Sequence, residues 1–203
     1  MKTYNELKSL IEQRGVHPEF GDAGEGWGIE QNPHELAAFL VRMQELGVQS
    51  VLEIGTGYKG GLSRFLAQDM GWDVTTVDVK NYGHAFEGVH YVVGSNVWFD
   101  HKFDLVFIDG DHRYECVRQD YEIFGHEFAT KVIAFHDIGG LRDCEGVREF
   151  WIEIANHETG HSLSIDGVDT PVVMLNISCN QVLDMKYSLI EKVRLAGIGW
   201  IEL

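Results

Sequence analysis

An apolar run, Val51-Leu52-Glu53-Ile54, breaks into the closely spaced glycines of Gly55-Thr56-Gly57-Tyr58-Lys59-Gly60-Gly61. Glycine adopts positive φ and has no Cβ, so a strand ending in such a turn brings bare backbone close to a ligand. Leu62, Phe65, Leu66 and Met70 then fall at helical spacing, and the start of that helix offers unpaired N–H groups. Strand, turn and helix in this order are what a nucleotide crevice requires. The pattern Gly55-x-Gly57-x-x-Gly60 matches a dinucleotide fingerprint, but the turn lacks the Gly-Lys-Ser/Thr ending that grips a triphosphate. Glu53, two positions before the first glycine, opposes a pyrophosphate and suits the ammonium of an amino-acid ligand. The competing reading is a structural turn beside a solvated acid.

The rest of the chain arranges itself around this turn. Thr3 and Glu6 have capping-box spacing, and Tyr4, Leu7 and Ile11 then line a short accessory helix that Gly15 ends. Residues 16–31 are rich in glycine and acid. They form either a linker or a flap in which Trp27 closes over a ligand. Asn32, Pro33 and Glu35 start a second helix whose apolar stripe is Leu36, Phe39, Leu40, Met43 and Leu46, with Gly47 as its stop. Beyond the glycine turn, strands are expected at Val74–Asp78, Val89–Val93, Phe103–Asp109 and Lys131–Phe135. Helices are expected from Tyr114 to Phe128 and around Val147–Ala155. This alternation predicts a mostly parallel α/β sheet covered on both faces. Toward the end, 161–165, 172–177 and 198–203 read as strands and 182–193 as a helix, without deciding which pair completes the sheet.

In an open parallel sheet, ligands bind beyond the carboxyl ends of the strands. That rule gathers Glu53, Asp78, Asp109, Asp111, His112, His136 and Asp137 along one edge. Asp78 lies about twenty residues past the glycines, where doubly wound folds place the carboxylate that meets ribose hydroxyls. Gly94-Ser95-Asn96 after the third strand is a small polar turn suited to the edge of an adenine, and equally to an ordinary loop. So many acids repel one another unless a cation intervenes. Asp109, His136 and Asp137 either share Mg²⁺ or Mn²⁺, or Asp109 serves an organic ligand and His136 is a hydrogen-bonded turn residue. His112 reads as a general base or as a supporting residue. No Gly-x-Ser-x-Gly elbow is present, and the cysteines have no base adjacent in sequence, which disfavours covalent catalysis.

Composition narrows the partners. The 203 residues suit one domain, 1–203, in which 1–32 form the accessory helix and a lid loop. A formal charge of −16 opposes nucleic acid and anionic membrane surfaces. Cys116, Cys144 and Cys179 are odd in number and widely spaced, so a reducing cytoplasm is expected. No basic-then-apolar leader or membrane-length apolar run is visible. Homo-oligomerisation is compatible with all of this.

Taken in order, these segments resemble a class I S-adenosylmethionine-dependent methyltransferase. Leu52-Glu53-Ile54-Gly55-Thr56-Gly57 is similar to that family's first motif, Val77-Asp78 to its ribose acid, and 103–109 to its fourth-strand motif. Three further stretches resemble the subgroup of macrocin-type O-methyltransferases and cephalosporin-hydroxylase-like proteins: Phe107-Ile108-Asp109-Gly110-Asp111-His112-x-Tyr114-Glu115, Phe135-His136-Asp137-Ile138 and Gly146-Val147-Arg148-Glu149-Phe150-Trp151. The resemblance spans roughly 31–151. It implies a Rossmann-like doubly wound, mostly parallel, seven-stranded sheet with helices on both faces. It further implies S-adenosylmethionine as cofactor, with Glu53, Gly55, Thr56 and Gly57 bordering its methionine, Asp78 its ribose, Ser95 or Asn96 its adenine, and Asp109 beside it. Metal-using relatives place carboxylates where Asp109 and the His136-Asp137 pair stand, and here a histidine replaces one acid. His112, His136 and Asp137 are then the catalytic candidates. The implied reaction is O-methylation of a small hydroxylated acceptor. The rivals are an NAD(P)-dependent oxidoreductase and a noncatalytic S-adenosylmethionine-binding module.

Overall fold

A computed structural model of the chain describes residues 1–16, 26–140, 142–155, 160–163 and 197–203. The expected strand at 172–177, the expected helix at 182–193 and the end of the expected strand at 161–165 lie outside them. Helix α1, Tyr4–Arg14, begins as its capping box requires. The Thr3 N–H donates to Glu6 Oε2 at 2.7 Å, the Glu6 N–H donates back to Thr3 Oγ1 at 3.4 Å, and Gly15 ends the helix at φ 91°. Helix α2, Pro33–Glu45, starts where Asn32 Oδ1 accepts the His34 N–H at 2.9 Å, with Pro33 as first helical residue. Leu36, Phe39, Leu40 and Met43 are buried along its inner face.

Strand β1, Ser50–Ile54, leads through the glycine turn into α3, Gly61–Gln68, and β2, Asp73–Asp78, follows. Then come β3, Val89–Val93, and β4, Phe103–Ile108. The helical stretch after β4 departs from expectation. It runs as α4, Tyr114–Asp120, then a wide π turn over Tyr121–Gly125, then a short α5, His126–Phe128. Gly125 lies where an added Cβ would meet Ile133 Cγ2 at 3.1 Å and Tyr121 Cδ2 at 3.2 Å, so the turn packs directly on the sheet. Strand β5, Ala129–His136, starts two residues earlier than the sequence pattern predicts. Helix α6, Glu145–Ala155, the short β6, Gly160–Leu163, and β7, Ile198–Glu202, complete the described elements.

The sheet runs β3-β2-β1-β4-β5-β7, with β6 pairing on the outer side of β7. Pairing is parallel from β3 to β5 and antiparallel between β5 and β7. The strand β4 shows why both faces are covered. Leu105 and Phe107 join a core with Leu36, Phe39 and Phe65, while Val106 and Ile108 join another with Val117, Phe124 and Phe150. Strand order reverses direction between β1 and β4, which opens a crevice at their carboxyl tips. Among the described residues, no helix is long and apolar enough to cross a membrane.

Candidate functional site

The tips of β1, β2 and β4 are fastened together by backbone. The Asp109 N–H donates to the Ile54 carbonyl at 2.8 Å and the Gly55 N–H to the Val77 carbonyl at 2.8 Å. Gly55 has φ 93°, and a Cβ there would stand 2.0 Å from the Asp109 carbonyl oxygen. Only glycine permits both the conformation and the approach. Asp78 closes the turn from the next strand. Its Oδ2 accepts the Thr56 and Gly57 N–H groups at 3.1 and 3.3 Å, and its Oδ1 accepts the Lys80 N–H at 2.9 Å. Above these tips lies a cavity of about 1220 Å³.

Of the residues expected at the cofactor, Gly55, Gly57, Asp78, Ser95 and Asp109 line this cavity, whereas Glu53, Thr56 and Asn96 do not. Glu53 points to the opposite face of the sheet, beneath α3. There it accepts a hydrogen bond from the Ser63 hydroxyl and is 2 % exposed. Thr56 turns inward too, its hydroxyl 2.7 Å from that of Thr76. Burial pushes the Glu53 carboxyl up to about 8, against the hydrogen bonds from Ser63 and Thr76 that favour its ionised form. Folding therefore favours the protonated acid. The stability this supplies is complete below pH 4.5 and is lost as pH rises toward 8. Glu53→Gln keeps the acceptor without the ionisation. The gap in stability between variant and wild type should widen in the variant's favour from pH 5 to 8, by up to about 3 kcal/mol. Urea unfolding at several pH values measures this, and a gap independent of pH would show that Glu53 is ionised in the fold.

The cavity carboxylate beside the glycine turn is instead Glu30, whose oxygens lie 3.5 and 3.7 Å from where a Cβ on Gly57 would stand. It is brought there by residues 26–31, which run back along the end of α1. The Trp27 N–H donates to the Arg14 carbonyl at 2.7 Å, and Val16 forms a parallel bridge with Ile29. Trp27 does not close over the cavity as the flap expectation has it. Its ring lies between the guanidinium groups of Arg14 and Arg64, at 4.6 and 4.0 Å. The neighbouring Gln31 reaches the site, donating from Nε2 to Asp109 Oδ2 at 2.7 Å. No spacing in the sequence marks Glu30 or Gln31, because both arrive by packing of a loop across the sheet edge.

At the β4 and β5 tips, Asp109, His112, His136 and Asp137 come together. His136 Nδ1 lies 3.2 Å from Asp109 Oδ1 and 3.3 Å from Asp137 Oδ2, while His112 Nε2 lies 3.2 Å from Asp137 Oδ2 and 3.9 Å from Asp109 Oδ1. Asp137 holds its carboxylate there from a left-handed backbone, φ 60°, a conformation aspartate tolerates better than most residues. Cys144 Sγ is 3.3 Å from His112 Nδ1. The structure thus corrects the expectation that no cysteine has a base for a neighbour, since the pair is 32 residues apart in sequence. Hydrogen bonding to Asp109 and Cys144, against burial, pushes the His112 imidazole up to about 10. Burial alone would lower His136, but Asp109 and Asp137 outweigh it and raise it well above the usual range. Burial likewise opposes ionisation of Asp109, and the two histidines overcome it and hold that carboxyl below the usual range. Protonated imidazoles therefore supply the positive charge that the acids demand.

These donors also fit a divalent cation. Asp109, His136 and Asp137 each present an atom within 4.8 Å of the others, as do His112, Asp137 and Cys144. Neighbouring ligands about 2.1 Å from an ion stand roughly 3 Å apart in octahedral geometry and slightly more in tetrahedral. The separations of 3.2 and 3.3 Å about His136 match that spacing.

No protein-family model and no curated protein sequence matches the chain. Solved structures do. One from Staphylococcus aureus, described as a candidate caffeoyl-CoA O-methyltransferase, has TM-score 0.53 and 15 % identity over 100 % of this chain and 92 % of its own. One from Pyrococcus horikoshii, described as a candidate RNA methyltransferase, has TM-score 0.53 and 17 % identity over 80 % of this chain and 84 % of its own. A methyltransferase from Podospora anserina bound to S-adenosylhomocysteine has TM-score 0.50 and 14 % identity over 98 % and 86 %. At such identities the likeness is one of fold.

Proposed function

We propose that the chain is an S-adenosylmethionine-dependent methyltransferase, acting on a hydroxyl of a small molecule with the help of a divalent cation. In fold it is the seven-stranded type, with Gly160–Leu163 counted as the seventh strand beside β7. The observation that carries the reading is the lining of the cavity. Glu30, Asp78, Asp109, Asp111, Asp120, Asp137 and Asp143 face it, and its arginine, Arg113, is tied to Asp111 at 2.6 Å. Such a wall repels the pyrophosphate of a nicotinamide dinucleotide and favours a ligand bearing an ammonium and a sulfonium. In this arrangement Gly55 and Gly57 give the methionine portion its backbone-lined bed and Glu30 holds its ammonium. Asp78, already oriented by three N–H groups, accepts from the ribose hydroxyls.

Asp109, His136 and Asp137 would hold the metal. The two carboxylates suit Mg²⁺ or Mn²⁺, and the imidazole in place of a third acid shifts the preference toward Mn²⁺. Held by these residues, a divalent ion would supply a lowered pKa at an acceptor hydroxyl. With the charge of the ion in place of that of the imidazolium, His112 would be neutral, and its Nε2, which faces the same space, would take the proton, with Cys144 holding the opposite ring nitrogen. S-adenosylmethionine would supply a methyl group already activated by its sulfonium, so alignment of the acceptor would be the remaining task of the cavity walls. The net charge of −16 argues against an RNA acceptor and for a small one.

Calorimetric titration of the protein with S-adenosylhomocysteine and with NADH tests the reading. S-adenosylhomocysteine binds at micromolar concentration and NADH does not, and Glu30→Gln weakens the former about tenfold through loss of one charged hydrogen bond. NADH as the tighter ligand would overturn the assignment. An unchanged affinity in Glu30→Gln would remove Glu30 from the ammonium.

A further inference from the structure

A second set of ligating atoms stands beside the first, where the loop after β4 meets the start of α6. His112 belongs to that loop, and Cys144, a free thiol, directly precedes α6. Gly146 lets the two segments touch, since a Cβ there would stand 2.5 Å from the His112 carbonyl oxygen. Cys144 Sγ thereby comes to 3.3 Å from His112 Nδ1. Asp137 approaches the other side of the ring, its Oδ2 at 3.2 Å from Nε2. One ligand atom from each of the three residues lies within 4.8 Å of the others. All three line the cavity, so an ion reaches them from solvent.

A thiol is a weak hydrogen-bonding group and gains little from an imidazole at this range. As metal ligands the two belong together. Thiolate sulfur and imidazole nitrogen bind Zn²⁺ at about 2.3 and 2.0 Å, which sets them about 3.5 Å apart in a tetrahedral shell. The observed separations of 3.3 and 3.2 Å are close to that spacing, and the imidazole, 36 % exposed, has room to turn one nitrogen toward both partners. The set made by Asp109, His136 and Asp137 holds no sulfur, and its two carboxylates suit a harder ion. We infer that His112, Cys144 and Asp137 form a second metal site, which takes Zn²⁺ through one ring nitrogen, the thiolate and a carboxylate oxygen, with water in the fourth position. Ligation displaces the thiol proton, and any proton on the ligating nitrogen, to solvent. Asp137 belongs to both sets, so an ion in one withdraws a ligand from the other. On the proposed reading, Zn²⁺ held there would occupy His112 and Asp137 and block methyl transfer, but the site itself does not depend on that reading.

Co²⁺ tests the site on the full chain with its thiols kept reduced, because it accepts the same ligands as Zn²⁺ and reports sulfur by its absorption. The wild type develops a sulfur-to-cobalt charge-transfer band in the near ultraviolet, and a small excess of Zn²⁺ removes it. Cys144→Ser and His112→Gln lose the band. Cys116→Ser, whose thiol also lines the cavity, keeps it. His112 is partly exposed, so its substitution spares the core, and far-ultraviolet circular dichroism confirms the fold of each variant. A wild type without the band overturns the site, as does a band that persists in Cys144→Ser or His112→Gln or that Cys116→Ser removes. The readout involves metal and sulfur alone, so its failure is distinct from failure of the methyl-transfer reading, which the binding of S-adenosylhomocysteine decides.

Discussion

Asp137→Ala abolishes binding of Mn²⁺ at micromolar concentration and leaves the affinity for S-adenosylhomocysteine within about threefold of the wild type. The expectation rests on the place of Asp137 between two imidazoles, with Oδ2 at 3.3 Å from His136 Nδ1 and 3.2 Å from His112 Nε2. Removing one carboxylate from a site with few ligands costs at least about a hundredfold in metal affinity, since even indirect supports cost tenfold or more. It also strips His112 of the partner that orients it, so methyl transfer falls with metal binding. Asp137 does not support the glycine turn, which Asp78 holds from β2, and cofactor affinity therefore persists. Titration with MnCl₂, followed by calorimetry or by the loss of the free-ion electron paramagnetic resonance signal, measures the first effect. Identical Mn²⁺ curves in the two proteins would take Asp137 out of the metal site, and a wild type that ignores Mn²⁺ would end the case for metal assistance.

Gly55→Ala should lower the melting temperature by about 10 °C and remove cofactor binding. The added methyl group would stand 2.0 Å from the Asp109 carbonyl oxygen and 2.6 Å from its carbon, on a residue at φ 93°. Backbone cannot step aside as a flexible side chain can, so β1 and β4 must part at their tips. Overlap and strain together amount to about 3–4 kcal/mol, which for a chain of this size corresponds to the shift given. Gly71→Ala is the internal comparison. It has φ 72° and nothing within 4 Å of the added atom, so it carries the conformational cost alone, about 1 kcal/mol. Thermal unfolding of both variants separates the two causes, and equal losses would mean that the strand tips do not approach as described.

Local chemistry made much of this fold legible in the sequence. Thr3 with Glu6, and Asn32 with Pro33, announce helix starts through side chains that answer backbone groups within a few residues. The parallel sheet follows from its alternating elements. Because ligands gather at carboxyl tips, the sequence alone places Asp78, Asp109, His112, His136 and Asp137 at one edge, and all five line the cavity there. What failed was parity and distance. Glu53 belongs with Val51 on one face of β1 and Ile54 with Leu52 on the other, so the acid nearest the glycines turns away from the cavity and lies buried under α3. Glu30, Gln31 and Cys144 enter the site through contacts between distant segments, for which no periodicity exists in the chain. Trp27 was legible as an unusual residue in a glycine-rich stretch, but its two guanidinium partners come from α1 and α3, and that pairing is tertiary.

A wall of carboxylates does not treat a donor and its spent form alike. On the proposed reading, the sulfur is cationic before transfer and every acid around it would contribute attraction; afterwards the sulfur is neutral and that contribution would vanish while the ammonium and ribose contacts stay. The proposed chemistry would thus loosen the grip on the by-product, and the acidity that reads as a specificity device would also assist clearance between turnovers. Salt would blunt the part owed to Asp109 and Asp137 only weakly, because their side chains are 13 % exposed, and the part owed to the exposed Glu30 more strongly.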